Sequence, residues 1–143
     1  MKIFISYTTR DKIITRDFLS ILEFELSDLG DIYIDLLHNH SKNKQARVAN
    51  ELQQADIFML LSTDSIKNSP WVKWEIDTAK AIDLHGVTIH ADASTNEFSI
   101  DEIRLTISGA IDKLVAARKN PPIKSLKNQR QKIITPMVIS ATP

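Results

Sequence analysis

The sequence predicts an α/β domain in which a mainly parallel sheet is wound on both sides by helices. Three observations carry that expectation. Short β-branched and aromatic runs alternate with longer segments of helical period along the chain. The run Ile57-Phe58-Met59-Leu60-Leu61 is apolar on both faces, as a strand covered from both sides must be. A chain of 143 residues is one domain's worth, and 43% apolar with 25% charged residues is an ordinary globular composition. The order βαβαβαβα is flavodoxin-like and doubly wound, so the site is expected beyond the carboxyl ends of the strands.

The elements follow in order. Ile3-Phe4-Ile5-Ser6-Tyr7 reads as a buried first strand, with Phe4 and Ile5 on opposite faces and both in the core. Thr8, Thr9 and Asp11 offer N-cap side chains to a helix in which Ile14, Phe18, Ile21, Leu22, Leu26 and Leu29 recur until Gly30, a suitable terminating residue. Ile32-Tyr33-Ile34 is a second strand closing at Asp35, and His38-Asn39-His40-Ser41 a solvated loop. Val48, Leu52 and Ala55 mark a second helix before the central strand, which closes at Ser62. Trp71 begins a helix that carries Val72, Ile76, Ala79 and Ile82 inward and ends near Gly86, before a fourth strand at Val87-Thr88-Ile89. Ser99 and Glu102 fit a capping box for a last helix through Ile103, Ile107, Ile111 and Leu114. Residues 1–120 form the expected domain, and Pro121-Pro122 opens a tail over residues 121–143. Pro136 confines a strand over residues 133–139 of that tail to a sheet edge.

Charge and composition then narrow the function. Basic and acidic residues number 18 each, so no net field collects nucleic acid or anionic lipid. Residues 118–132 nevertheless hold six bases and no acid, a basic tail on an acidic body. With no Cys there is no disulfide framework and no thiolate metal site. No apolar run approaches a membrane span and the first residues enter a strand, so a cytoplasmic protein is expected. Neither G-x-G-x-x-G nor G-x-x-x-x-G-K-[ST] occurs among three glycines, which removes the commonest nucleotide-binding readings. A phosphoacceptor receiver needs paired acids after its first strand and an Asp ending its third; Ser6-Tyr7-Thr8 and Ser62 stand there instead. His38 and His40 have no third ligand near, so no metal is expected.

Four segments resemble the Toll/interleukin-1 receptor (TIR) domain family. Phe4-Ile5-Ser6-Tyr7 resembles its first box, and Tyr33-Ile34-Asp35 its second strand before the BB loop. The stretch from Ala55-Asp56 to Leu61-Ser62 is similar to its third strand. Ser69-Pro70-Trp71-Val72-Lys73-Trp74-Glu75-Ile76 is similar to its S-x-W-V-x-x-E helix start. The likeness covers about half the chain and stops after Asp92. It implies the stand-alone prokaryotic kind, with a role in bacterial immune signalling. Many such domains cleave NAD⁺, here a substrate and not a cofactor, at the nicotinamide–ribose bond with a single Glu, and Glu75 falls on that position. The implied products are linear or cyclic ADP-ribose species, and the implied partner besides NAD⁺ is a second TIR domain.

Each candidate also has a plain structural reading. On a helical wheel Glu75 borders the Val72/Ile76/Ala79 stripe, where an ordinary amphipathic Glu also sits. Trp71 either stacks on a substrate ring or fills the groove between helix and sheet. Trp74 points opposite that stripe, the place for a subunit contact or a lid. Ser6, Tyr7 and Ser62, at strand ends, are expected to shape the pocket, and Asp35 to contact substrate or cap its own loop. Two rivals stay open: a TIR scaffold without activity, meeting its partner through Trp74 and residues 38–44, and another N-glycosidic enzyme such as a nucleoside deoxyribosyltransferase, with Asp35 or Asp64 as second acid.

Overall fold

The computed structural model describes residues 1–120; the expected basic tail and its edge strand at residues 133–139 lie outside them. The elements run β1 Lys2–Ser6, α1 Arg16–Leu26, β2 Asp31–Ile34, the single turn α2 Asp35–His38, α3 Lys44–Gln54, β3 Ile57–Ser62, a 3-10 turn Asp64–Asn68, α4 Pro70–Ala81, β4 His85–His90 and α5 Ile100–Lys119. The sheet order is β2-β1-β3-β4 and every pairing is parallel. This is a doubly wound α/β fold of the flavodoxin type. The chain passes from β1 outward to β2, then back across β1 to β3, so the strand order reverses between β1 and β3. The carboxyl ends of those two strands frame the crevice that such a reversal creates.

Strand alternation sends two sets of side chains to two helix layers. Ile3, Ile5, Ile57, Met59 and Leu61 face α1 and α5, where Leu19, Leu22, Leu26, Ile103 and Ile107 close the larger core. Phe4, Tyr33 and Phe58 face α3 and α4, against Val48, Leu52, Trp71 and Ala79. Parallel register places those three rings side by side: Phe4 lies 5.3 Å from Tyr33 and 5.8 Å from Phe58, centroid to centroid. Phe4 and Ile5 are both buried on opposite faces, as expected. No helix among the described residues is long and apolar enough to cross a membrane.

Three boundaries differ from the sequence expectation. The first helix begins at Arg16, capped by Thr15, whose Oγ1 accepts the Phe18 N–H at 3.2 Å. The acceptors upstream are used within the preceding loop: Asp11 takes the Ile13 N–H, Thr8 takes that of Arg10, and Lys12 adopts φ 62°. Gly30 is no left-handed helix terminator, since no glycine has positive φ among the described residues. A close approach requires it instead, because a Cβ there would lie 2.5 Å from the Met1 carbonyl oxygen. The Trp71 helix stops at Ala81 and not near Gly86. Asp83, at φ 56°, turns the chain, and Gly86 lies inside a β4 that begins at His85.

Candidate functional site

The start of α4 is fixed by Ser69 and Pro70. Ser69 Oγ accepts the Val72 N–H at 3.2 Å, and proline occupies a first-turn position that has no N–H to satisfy. From that start the inward residues are Trp71, Val72, Glu75, Thr78 and Ala79. The buried face is therefore rotated by about 70° from the Val72/Ile76/Ala79 stripe, at 100° per residue. Glu75 is not a border residue. It sits in the middle of the buried face at 3% exposure, and its Oε1 accepts a hydrogen bond from Ser6 Oγ at 2.9 Å. An apolar wheel misses this because it counts Glu75 and Thr78 as outward.

The same rotation corrects Trp74. Instead of standing opposite the core it is half-buried on the flank of α4, packed against the α3/α4 core with its ring edge-on to Trp71 at 5.9 Å. Trp71 is buried and fills the groove between helix and sheet, yet its indole N–H has no hydrogen-bond partner of good geometry among the described residues. That N–H is directed at the Glu75 carboxyl and draws its proton affinity down.

Tyr7 and Asp35 complete the cluster. Tyr7, next after Ser6, is buried, and its hydroxyl oxygen accepts the Leu36 N–H at 2.9 Å, which ties the end of β1 to the start of α2. Asp35 is buried too, its Oδ1 accepting the Tyr33 hydroxyl at 2.8 Å and Asn39 Nδ2 at 2.7 Å, so it does organise its own turn. Tyr33 and Asn39 were legible only as a strand residue and a loop residue. Neither carries a sequence signal for the support it gives Asp35.

The electrostatics follow first from burial. Burial pushes the Glu75 carboxyl up to about 8, the Asp35 charge adds to that, and the Ser6 hydrogen bond and the Trp71 N–H oppose it. Tyr7 is also pushed up, by burial first and then by the charges of Asp35 and Glu75, against the Leu36 hydrogen bond.

Other candidates fall elsewhere. Ser62 is half-buried and lines a separate cleft of about 240 Å³ with Thr63, Asp64, His90 and Asn96, beyond β3 and β4. A cleft of about 420 Å³ runs along the outer edge of β2 between Lys2, Tyr33, His38 and Arg47. Glu75 lines neither. His38 is not a solvated loop residue, because its Nδ1 accepts the Ile34 N–H at 3.0 Å and its Nε2 meets Glu23. The described residues bring together no group of three His, Asp or Glu arranged for a metal.

Compared with known proteins, the chain matches no family model and no curated protein.

Proposed function

We propose that this chain is a TIR-type NAD⁺ nucleosidase and that Glu75 is its catalytic carboxylate. The observation that carries the reading is a buried carboxyl at the sheet's reversal point, held by Ser6 beside Tyr7, Asp35 and Trp71. Perturbed, desolvated acids concentrate at functional sites. The reaction suits one such acid. The C1′–N bond breaks with its electron pair passing to the nicotinamide ring, so the positively charged leaving group departs neutral and needs no proton. The ribose becomes an oxocarbenium ion, and a carboxylate nearby stabilises it. Water then adds at C1′, yielding ADP-ribose and one proton; capture by an adenine nitrogen of the same molecule yields a cyclic product instead.

The described form is closed over Glu75, so turnover requires the ends of β1, β2 and the start of α4 to part. Trp74 no longer supports a subunit contact by exposure, and assembly with a second TIR domain rests on the resemblance alone. Complete burial of Glu75 favours one rival, a scaffold in which the acid never meets a substrate. Incubating the protein with NAD⁺ and separating nicotinamide from the adenine products decides between them. The expected result is nicotinamide release that falls at least about a hundredfold in Glu75→Gln. A folded Glu75→Gln protein that turns over like the wild type removes the assignment, and a wild type inert at every concentration leaves the scaffold.

A further inference from the structure

The two edges of the sheet are finished differently. At β2 the Asp31 N–H donates to the Met1 carbonyl at 2.9 Å, so the backbone groups of Ile32 and Ile34 face outward. That edge is four residues long and guarded, because His38 Nδ1 takes the Ile34 N–H at 3.0 Å. At β4 the Ala91 N–H donates to the Ser62 carbonyl at 3.2 Å, and the pairing with β3 runs unbroken from His85 to His90. Backbone groups alternate sides along a strand, so Gly86, Thr88 and His90 turn their N–H and C=O groups away from β3. All three residues are exposed, and those groups have no partner among the described residues. The edge is six residues long and holds no lysine, proline or bulge to repel another strand.

Gly86 is a second, independent observation. Glycine inside a strand weakens it, and a bulge, a bend or a close approach is the usual reason for one. Here the register is continuous, no glycine has positive φ among the described residues, and a Cβ at Gly86 would meet only the Phe58 carbonyl oxygen at 3.9 Å. Nothing in its own fold needs the missing side chain. The chain's own residues beyond α5 do not fit outside β4 either. Arg118 meets Asp56 beside the start of β3, so a strand following α5 would enter from that end and run parallel to β4. The step from β1 to β2 crosses the α1 face of the sheet in one direction, and α5 packs on that same face. A step over α5 to a place outside β4 crosses it in the other direction, the left-handed sense found in about 2% of such crossovers.

We propose that β4 is a self-pairing edge: two copies of the chain join their β4 strands antiparallel about a two-fold axis at Thr88, making one continuous sheet from two of four strands. The proposal goes beyond the nucleosidase reading and stands without it. Self-complementarity selects a second copy as the occupant. With Thr88 opposite the partner's Thr88, Gly86 lies opposite the partner's His90 and His90 opposite the partner's Gly86. Outward-facing residues then meet outward-facing residues throughout, and each such pair exchanges two backbone hydrogen bonds. Directly opposed side chains share a face, so the partner's imidazole lies over Gly86, where a Cβ is absent, and the two threonines form a favourable cross-strand pair. An unrelated extended peptide would bond the same groups but gives no reason for a bare Gly86. The arrangement uses the same patch on both copies and closes at two.

Sedimentation of the whole chain over a dilution series measures the association, and amide hydrogen exchange read residue by residue locates it. The expected result is a reversible dimer in which the Gly86, Thr88 and His90 amides exchange at least about tenfold more slowly than in the dissociated chain. Thr88→Lys sets two ammonium groups against each other on the axis, and Gly86→Lys fills the place of the partner's imidazole. Each should raise the dissociation constant at least about tenfold. If a variant does not fold, the other decides with the wild-type exchange pattern, and that pattern decides alone if neither folds. A chain that is monomeric at every concentration overturns the pairing, as does a dimer that both variants leave intact. So does a dimer whose edge amides exchange freely, because it uses another surface. Edge amides slowed in the monomer overturn it too, because the chain itself then covers the edge.

Discussion

Replacing Glu75 with glutamine should make the protein more stable, and by an amount that depends on pH in a calculable way. The carboxyl goes from an ordinary 4.5 to about 8 in the fold. Between those values the folded protein holds a proton that the unfolded chain has released, so the native state is the better proton binder and stability falls as pH rises through the window. At about 1.4 kcal/mol per tenfold change in proton affinity, the wild type loses about 3 kcal/mol by pH 7 and about 5 kcal/mol above pH 8, relative to pH 4. Glutamine has the same shape, keeps an oxygen to accept from Ser6 Oγ, and carries no charge to desolvate. The Gln variant should therefore exceed the wild type by about 3 to 5 kcal/mol at pH 9 and by about 1 kcal/mol or less at pH 5. All other titrating groups are common to both proteins and cancel in the difference. Urea unfolding followed by tryptophan fluorescence measures it, since both tryptophans of the chain adjoin Glu75. A stability difference that stays constant from pH 5 to pH 9 would refute the buried, proton-holding carboxyl.

Two further expectations follow from the same geometry. Under the proposed mechanism cleavage needs the carboxylate, so kcat/KM for NAD⁺ should rise with pH to a plateau governed by a group near 8, and in Asp35→Asn that limb should move to lower pH because one of the two upward influences is gone. A flat profile between pH 6 and pH 9 would contradict it. Gly30→Ala puts a methyl 2.5 Å from the Met1 carbonyl oxygen, where β1 and β2 begin to pair. It should cost about 1 to 3 kcal/mol in urea unfolding without changing cleavage, and full wild-type stability would show that the two strands separate there easily.

Most of the fold was legible because it rests on apolar periodicity. The run from Ile57 to Leu61 announced a strand covered on both sides, and the helices through Leu22, Leu52 and Ile107 each followed from their spacing. Boundaries set by competition were less visible. Thr8, Asp11 and Thr15 are all good caps, and only the three-dimensional path selects Thr15, since Asp11 is engaged by Ile13 and Lys12 bends the loop. Gly30 looked like a terminator because a neighbour twenty-nine residues upstream cannot be read from local sequence. At the site, the position of Glu75 was legible from the pattern Ser69 to Ile76, but its burial was not. A wheel built on apolar residues gives the wrong rotation whenever the buried face contains an acid and a threonine.

That error separates Glu75 from the other buried acids of the chain. Glu51 is also buried, but it meets Lys2 Nζ at 2.5 Å and Arg47 Nε at 2.9 Å, so its charge is balanced where it lies. Asp35 receives two side-chain donors on one oxygen. The Glu75 carboxyl has the Ser6 hydroxyl and an indole N–H that falls short of a bond. A merely structural role at this position is met more cheaply by glutamine, or by an apolar residue of similar volume, because neither loses stability as the pH rises. Chains keep such local conflicts where function needs them. The conflict at Glu75 lies where the strand order reverses, between the carboxyl ends of β1 and β3, and Ser6 Oγ is the one side chain there that donates to it with good geometry among the described residues.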